Sequence, residues 1–107
     1  MRKIILKDAF ALSRIIKGSN ALADILKAYQ DRGMTDEERG VIVVQALIYG
    51  LPEQEQQIYD LLDGIYQGAK SIGDMTLEES AKAFKEIAEE NDLMAFFTRA
   101  LKLAQRI

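Results

Sequence analysis

The sequence predicts an all-α fold, a single compact bundle of about five to six short amphipathic helices around a central apolar helix. Three observations predict it. Apolar residues recur at spacings of three and four through most of the chain, which gathers them on one face of a helix turning about 100° per residue. Two segments, Thr35-Asp36-Glu37-Glu38 and Thr76-Leu77-Glu78-Glu79, have the spacing of a capping box, in which a Thr hydroxyl and a Glu carboxylate each satisfy an amide left open at a helix start. The one stretch that also reads as a strand, residues 41–49, has no obvious partner strand, and a lone strand is not stable by itself.

The elements follow in order. Ile5, Ala9, Leu12 and Ile16, flanked by Leu6 and Phe10, predict a first helix over about residues 7–17, broken by Gly18-Ser19-Asn20. Leu22, Ile25, Leu26 and Tyr29 form the second stripe, and Gly33 is placed to end that helix in the left-handed conformation that glycine adopts cheaply. Thr35 opens a third helix that is apolar all round through Val41, Ile42, Val43, Val44, Ala46, Leu47, Ile48 and Tyr49. Its four consecutive β-branched residues also fit a buried strand; the central helix of the bundle is the preferred reading. Pro52, ahead of Glu53 and Glu55, suits the first turn of a fourth helix whose buried stripe is Ile58, Leu61, Leu62, Ile65, Tyr66 and Ala69.

Gly68, Ser71, Gly73 and Asp74 mark the next loop, and Thr76 opens a fifth helix. There Leu77, Ala81, Phe84, Ile87 and Ala88 lie opposite Glu78, Lys82, Lys85, Glu86 and Glu89. The Met-Thr-x-Glu-Glu segments at Met34 and Met75 are followed by unlike sequence, which is reuse of one cap rather than a repeat. Asn91-Asp92 ends the fifth helix and caps the sixth. In that last helix Leu93, Met94, Phe96, Phe97, Ala100, Leu101, Leu103, Ala104 and Ile107 cover an arc of roughly 180°, against about 100° for an ordinary surface helix. Thr98, Arg99, Lys102, Gln105 and Arg106 fill the other side.

That surplus of apolar surface suggests a partner. Met94, Phe96, Phe97, Leu101, Leu103 and Ile107 are expected to supply self-association or client contact, with Lys102 and Arg106 at the polar rim. The same spacing also fits a helix edge packed between two neighbours of its own chain. A Phe96→Asp/Leu103→Asp double variant separates the two: lost assembly with intact helicity means interface, and unfolding means core.

Composition narrows the function classes. With 107 residues, 49% hydrophobic and 29% charged, residues 1–107 form one domain large enough for one core. Mean hydropathy is -0.09, and the longest nearly apolar run, residues 41–51, falls short of the roughly 20 residues a membrane helix needs. The Met-Arg-Lys opening leads into Ile4-Ile5-Leu6, but Lys7-Asp8 ends that patch too soon for a secretory core, so a cytoplasmic product with no membrane partner is expected.

The chain has no His and no Cys, which removes the commonest general base, the commonest metal ligand and the thiol nucleophile. Its acid groups, Asp36/Glu37/Glu38, Glu53/Glu55, Asp60/Asp63 and Glu86/Glu89/Glu90, sit where helix starts or solvated faces account for them, and the spacing of a calcium loop is missing. The segment Gly64-Ile65-Tyr66-Gln67-Gly68 lacks the Lys-Ser/Thr of a phosphate loop. No catalytic residue, cofactor or metal is expected. Phe10, Phe84, Tyr29 and Tyr66 read as core, whereas Tyr59 points away from its stripe.

A net charge of -3 gives no broad footprint for nucleic acid. Basic clusters at Arg2/Lys3/Lys7 and Arg99/Lys102/Arg106 fit solvated helix faces or an acidic partner. The rival reading is a small helical DNA-binding or regulatory protein built on residues 24–49, yet residues 41–49 carry no Arg or Lys to meet bases or phosphates.

Two stretches carry a family likeness: Glu89-Glu90-Asn91-Asp92-Leu93-Met94-Ala95-Phe96-Phe97-Thr98-Arg99-Ala100-Leu101-Lys102-Leu103, and the opening Lys3-Ile4-Ile5-Leu6-Lys7-Asp8-Ala9-Phe10-Ala11-Leu12-Ser13-Arg14-Ile15-Ile16-Lys17. With Met75-Thr76-Leu77-Glu78-Glu79 between them, the chain resembles the small tail assembly chaperones of long-tailed phages and prophages of low-GC Gram-positive bacteria. The likeness is one of apolar and charged patterning over nearly the whole chain. It implies an all-helical, non-enzymatic, oligomeric protein of the host cytoplasm that coats the tape-measure protein until tail-tube subunits replace it. It also implies a longer form, made by ribosomal frameshifting, whose extension after residues like 102–107 binds the tail-tube protein; this chain would be the short form.

Overall fold

The structure is a computed structural model that describes residues 1–30 and 33–106. Among those residues six α-helices follow one another: α1 (Leu6–Ile16), α2 (Ala21–Ala28), α3 (Asp36–Gly50), α4 (Glu55–Tyr66), α5 (Leu77–Glu90) and α6 (Leu93–Arg106). Single 3₁₀ turns at Pro52–Gln54 and Ile72–Asp74 precede α4 and α5. No strand occurs among the described residues, so the β-branched run of residues 41–44 is helical. The radius of gyration, 12.7 Å, is near the roughly 13 Å of a folded chain of about 100 residues, and the all-α single bundle is the fold observed.

The predicted capping box is complete at Thr76 and only half made at Thr35, where Glu38 returns no bond to the Thr35 amide. Thr35 Oγ1 accepts from Glu38 N at 3.1 Å. At α5 the box closes both ways, with Glu79 N on Thr76 Oγ1 at 3.1 Å and Thr76 N on Glu79 Oε1 at 2.9 Å. At α6 Asp92 Oδ1 accepts from Ala95 N at 3.0 Å. Each bond occupies an amide that has no partner within its helix.

The start of α1 is different. Asp8 is buried, and its Oδ2 accepts from Ile5 N at 2.8 Å. Both carboxylate oxygens also accept from the Arg2 guanidinium, at 2.7 and 2.8 Å. Further along the same strap, Arg2 N donates to Ile65 O at 3.0 Å and Ile4 N to Asn91 Oδ1 at 2.9 Å. Residues 1–5 are thereby tied to α4 and to the α5–α6 corner. The guanidinium holds the Asp8 carboxyl below the ordinary carboxylate range, and the Ile5 amide adds to the effect.

Leu12, Ile16, Leu22, Val43, Leu47, Ile58, Ile65, Ile87 and Phe97, each at most 2% exposed, form the middle of the core. α3 runs through it against α2, α5 and α6, while α1 covers α6 and reaches α4. Gly40 permits the close crossing of α3 and α6: a Cβ there would stand 3.1 Å from Leu93 Cβ, tighter than side chains ordinarily allow.

Several expectations are corrected. α2 ends at Ala28, with Tyr29 N bonded to Ile25 O, so Gly33, although left-handed at φ 70°, is not its cap. α4 ends at Tyr66 through Gln67 in the left-handed region at φ 58°, which leaves Ala69 beyond the helix and exposed. The Asp63 carboxylate organises the following loop instead, accepting from Ser71 Oγ and Ile72 N, each at 2.7 Å. Phe10 is 38% exposed rather than core. Tyr59 is half-buried, because its ring closes over Gly73 and its hydroxyl donates to Glu55.

Candidate functional site

The surplus of apolar residues on α6 divides in two once α1 lies against it. Leu93, Phe96, Phe97 and Ala100 are buried, and the rings of Phe96 and Phe97 meet at 5.7 Å with a 37° tilt. Phe96 and Phe97, expected at a partner surface, are 7% and 2% exposed within the chain itself. Their place is in the core, where α1 and α3 pack on α6. A charge at Phe96 would therefore unfold the subunit and says nothing of a partner.

What remains outward is narrower. Met94, Leu101 and Leu103 are half-buried, while Lys102 and Arg106 are exposed; Ile107 lies outside the described residues. Met94, Leu103, Lys102 and Arg106 come together in one open groove of about 540 Å³ between α6 and the start of α1. Leu6, 62% exposed, and Ala95 complete its apolar lining, and Arg99 joins the cations. Leu101 is not in it. Two carboxylates stand at the groove, both engaged: Asp92 caps α6 and Asp36 pairs with Arg39 at 2.9 Å. Arg99, Lys102 and Arg106 form no ion pair with a described residue.

A second surface lies at the other end of α3. Tyr49 is 90% exposed and Leu77 89%. Tyr49 stands between two open grooves. One, of about 690 Å³, lies toward α2 over Ile25, Ile42 and Ala46. The other, of about 650 Å³, lies toward α5 over Ile48, Met75 and Phe84. Leu77 was expected on the buried stripe of α5, but as the first residue of that helix it projects past the neighbours that cover Phe84 and Ile87.

The sequence reading passed over Tyr49 as a surface residue, yet a signal was present. A helix apolar on every side needs neighbours on every side, and α2, α5 and α6 leave the line of Ile42, Ala46 and Tyr49 partly open.

The acid groups raised from the sequence are distributed as local structure. Glu79 serves the α5 cap and meets Lys70 at 3.2 Å, and Asp63 anchors its loop. Glu86 accepts from the Tyr66 hydroxyl at 2.8 Å, a bond that pushes the phenol up. Among the described residues no group of three or more acids is placed to hold a metal ion, and no helix is long and apolar enough to cross a membrane. No protein-family model, curated protein or solved structure matches the chain.

Proposed function

We propose that this chain is a non-enzymatic tail assembly chaperone, which binds and solubilises a tape-measure protein in the host cytoplasm and yields it to tail-tube subunits. The identity of the client rests on the resemblance of residues 3–17 and 89–103. The observation that carries a holding role is the open groove between α6 and α1, lined by Leu6, Met94 and Leu103 together with Arg99, Lys102 and Arg106. Such a groove suits one face of an amphipathic helix, whose apolar side chains would enter it while acids meet the cations.

The energetics favour a reversible grip. A large apolar side chain contributes about 1.5 to 3 kcal/mol when fully buried, and association costs at least about 4 kcal/mol in lost freedom. Two or three anchors per subunit therefore leave each contact weak. Many copies on one long client would hold it firmly through effective concentration alone, and weak single contacts allow stepwise displacement by the tube.

The test is co-expression with a candidate client, reading how much client stays in the soluble fraction. Wild type should keep it soluble, and a Leu6→Asp/Lys102→Glu variant, altered only at exposed positions, should lose that effect while retaining wild-type helicity. A client that stays insoluble with wild type, or equally soluble with the variant, would overturn the reading.

A further inference from the structure

We infer that the groove between α3 and α5, beside Tyr49, binds a second kind of partner, an amphipathic helix whose apolar row is flanked by Lys or Arg. This groove of about 650 Å³ is lined by Tyr49 and Leu77, the two most exposed large apolar side chains among the described residues. Ile48, Met75 and Phe84 line it with them. An exposed aromatic ring beside a Met, with charge nearly absent, is the composition of an interface core, and the Met thioether adapts to the shape it meets. The lining belongs to helices and a turn, with no strand edge to pair with. A segment that enters must therefore satisfy its own backbone amides and carbonyls, as a helix does.

Charge selects which helix. Glu78 is the only charged side chain lining this groove, and Asp24 the only one lining the hollow on the other side of Tyr49, among the described residues. Both are exposed, and neither forms an ion pair with a described residue. Lys27 and Lys82, one turn from Asp24 and Glu78, line neither groove and pair with neither acid. The last turn of α3, which holds Tyr49, has no basic residue, so no cation of that helix meets the partial negative charge at its end. These contributions share one sign, and a cationic partner is complementary to all of them. A second copy meeting this face with its own would set acid against acid. The α6–α1 groove, lined by Arg99, Lys102 and Arg106, calls for the opposite ligand, so the two surfaces sort their partners by charge. None of this depends on the identity of the client.

A pair of labelled peptides tests it. Each is an Ala-based helix of about 18 residues, with Leu at i, i+3, i+4 and i+7; one carries Lys on both flanks of the Leu row, the other Glu. Fluorescence anisotropy reads binding. The Lys peptide should bind wild type, and Tyr49→Ser/Leu77→Ser should weaken it about ten-fold or more. Arg99→Gln/Lys102→Gln, in the other groove, should leave it within about two-fold of wild type. Asp24→Lys/Glu78→Lys should weaken the Lys peptide about ten-fold and strengthen the Glu peptide. All six positions are exposed, and circular dichroism checks that every variant keeps wild-type helicity. A Lys peptide that fails to bind wild type, ignores Tyr49→Ser/Leu77→Ser or the charge reversal, or is lost with Arg99→Gln/Lys102→Gln would overturn the inference. So would a wild type that sedimentation velocity shows to pair through Tyr49 with a second copy.

Discussion

α6 and the C-terminal half of α3 both carry apolar residues over more than one ordinary helix face, and they end in opposite situations. α6 carries a wide apolar arc, yet its middle, Leu93, Phe96, Phe97 and Ala100, is buried, and Met94, Leu101, Leu103 and Ala104 are half-buried. α3 has three helical neighbours, yet Tyr49 at its end stands almost free. The difference lies in what surrounds each helix. A pattern of apolar residues states how much surface a helix has to bury, whereas the number and length of its neighbours decide how much it does bury. α1 runs beside α6; the helices flanking the end of α3 diverge and leave grooves on both sides of Tyr49.

The largest expected effect breaks the comparison at its buried side. Phe97→Ala removes a ring that is 2% exposed and in contact with Phe96, and should cost about 3 to 5 kcal/mol. Urea unfolding followed by circular dichroism measures it. A loss near zero would place Phe97 on an open face and restore the whole arc of α6 as an interface.

That outcome bears on what was legible beforehand. Six helices, their order and most of their starts were readable, because capping chemistry is local: Thr35, Thr76 and Asp92 need only their own next three residues. The groove was half readable. Met94, Lys102, Leu103 and Arg106 share the groove, but Phe96 and Phe97 do not, since helical spacing shows which residues share a face and not which helix will lie upon it. Leu6 belongs to the groove through a contact between the two ends of the chain, and Tyr49 and Leu77 project because neighbours stop short of them. Neither fact has a signature within one helical turn.

The next effect concerns the fastening of that cover. The strap of residues 1–5 holds the start of α1 beside α6 through Arg2 and Asp8, whose bonds are 2.7 and 2.8 Å. Asp8→Asn should cost about 2 kcal/mol by removing charged hydrogen bonds at a buried site. The same bond makes a pH prediction. Because the Asp8 pKa is lowered in the folded chain, its stabilisation is complete above the unfolded-state value near about 3.9. It is lost as the pH falls through the lower folded value. Wild type should therefore lose stability relative to Asp8→Asn on acidification below about pH 4. Parallel stability curves for the two proteins across that range would show that the pair is not coupled to folding.

The smallest effect on the fold should come from the open side of the comparison, and there the smallness is itself informative. Tyr49→Ser and Leu77→Ser change side chains that are 90% and 89% exposed, so each should shift the stability of the free protein by no more than about 0.5 kcal/mol. A ligand separates the two regions further. If Tyr49 is buried only beneath a bound cationic helix, wild-type melting temperature should rise with the concentration of the Lys-flanked peptide, since binding stabilises the folded form by mass action. Tyr49→Ser should weaken that dependence, whereas Phe97→Ala should lower the melting temperature at every peptide concentration. Thermal melts over a peptide titration distinguish them. A Tyr49→Ser protein that is strongly destabilised even without peptide would mean that its own chain closes over the end of α3. The contrast between a covered α6 and an open α3 would then fail at the residue on which it depends most.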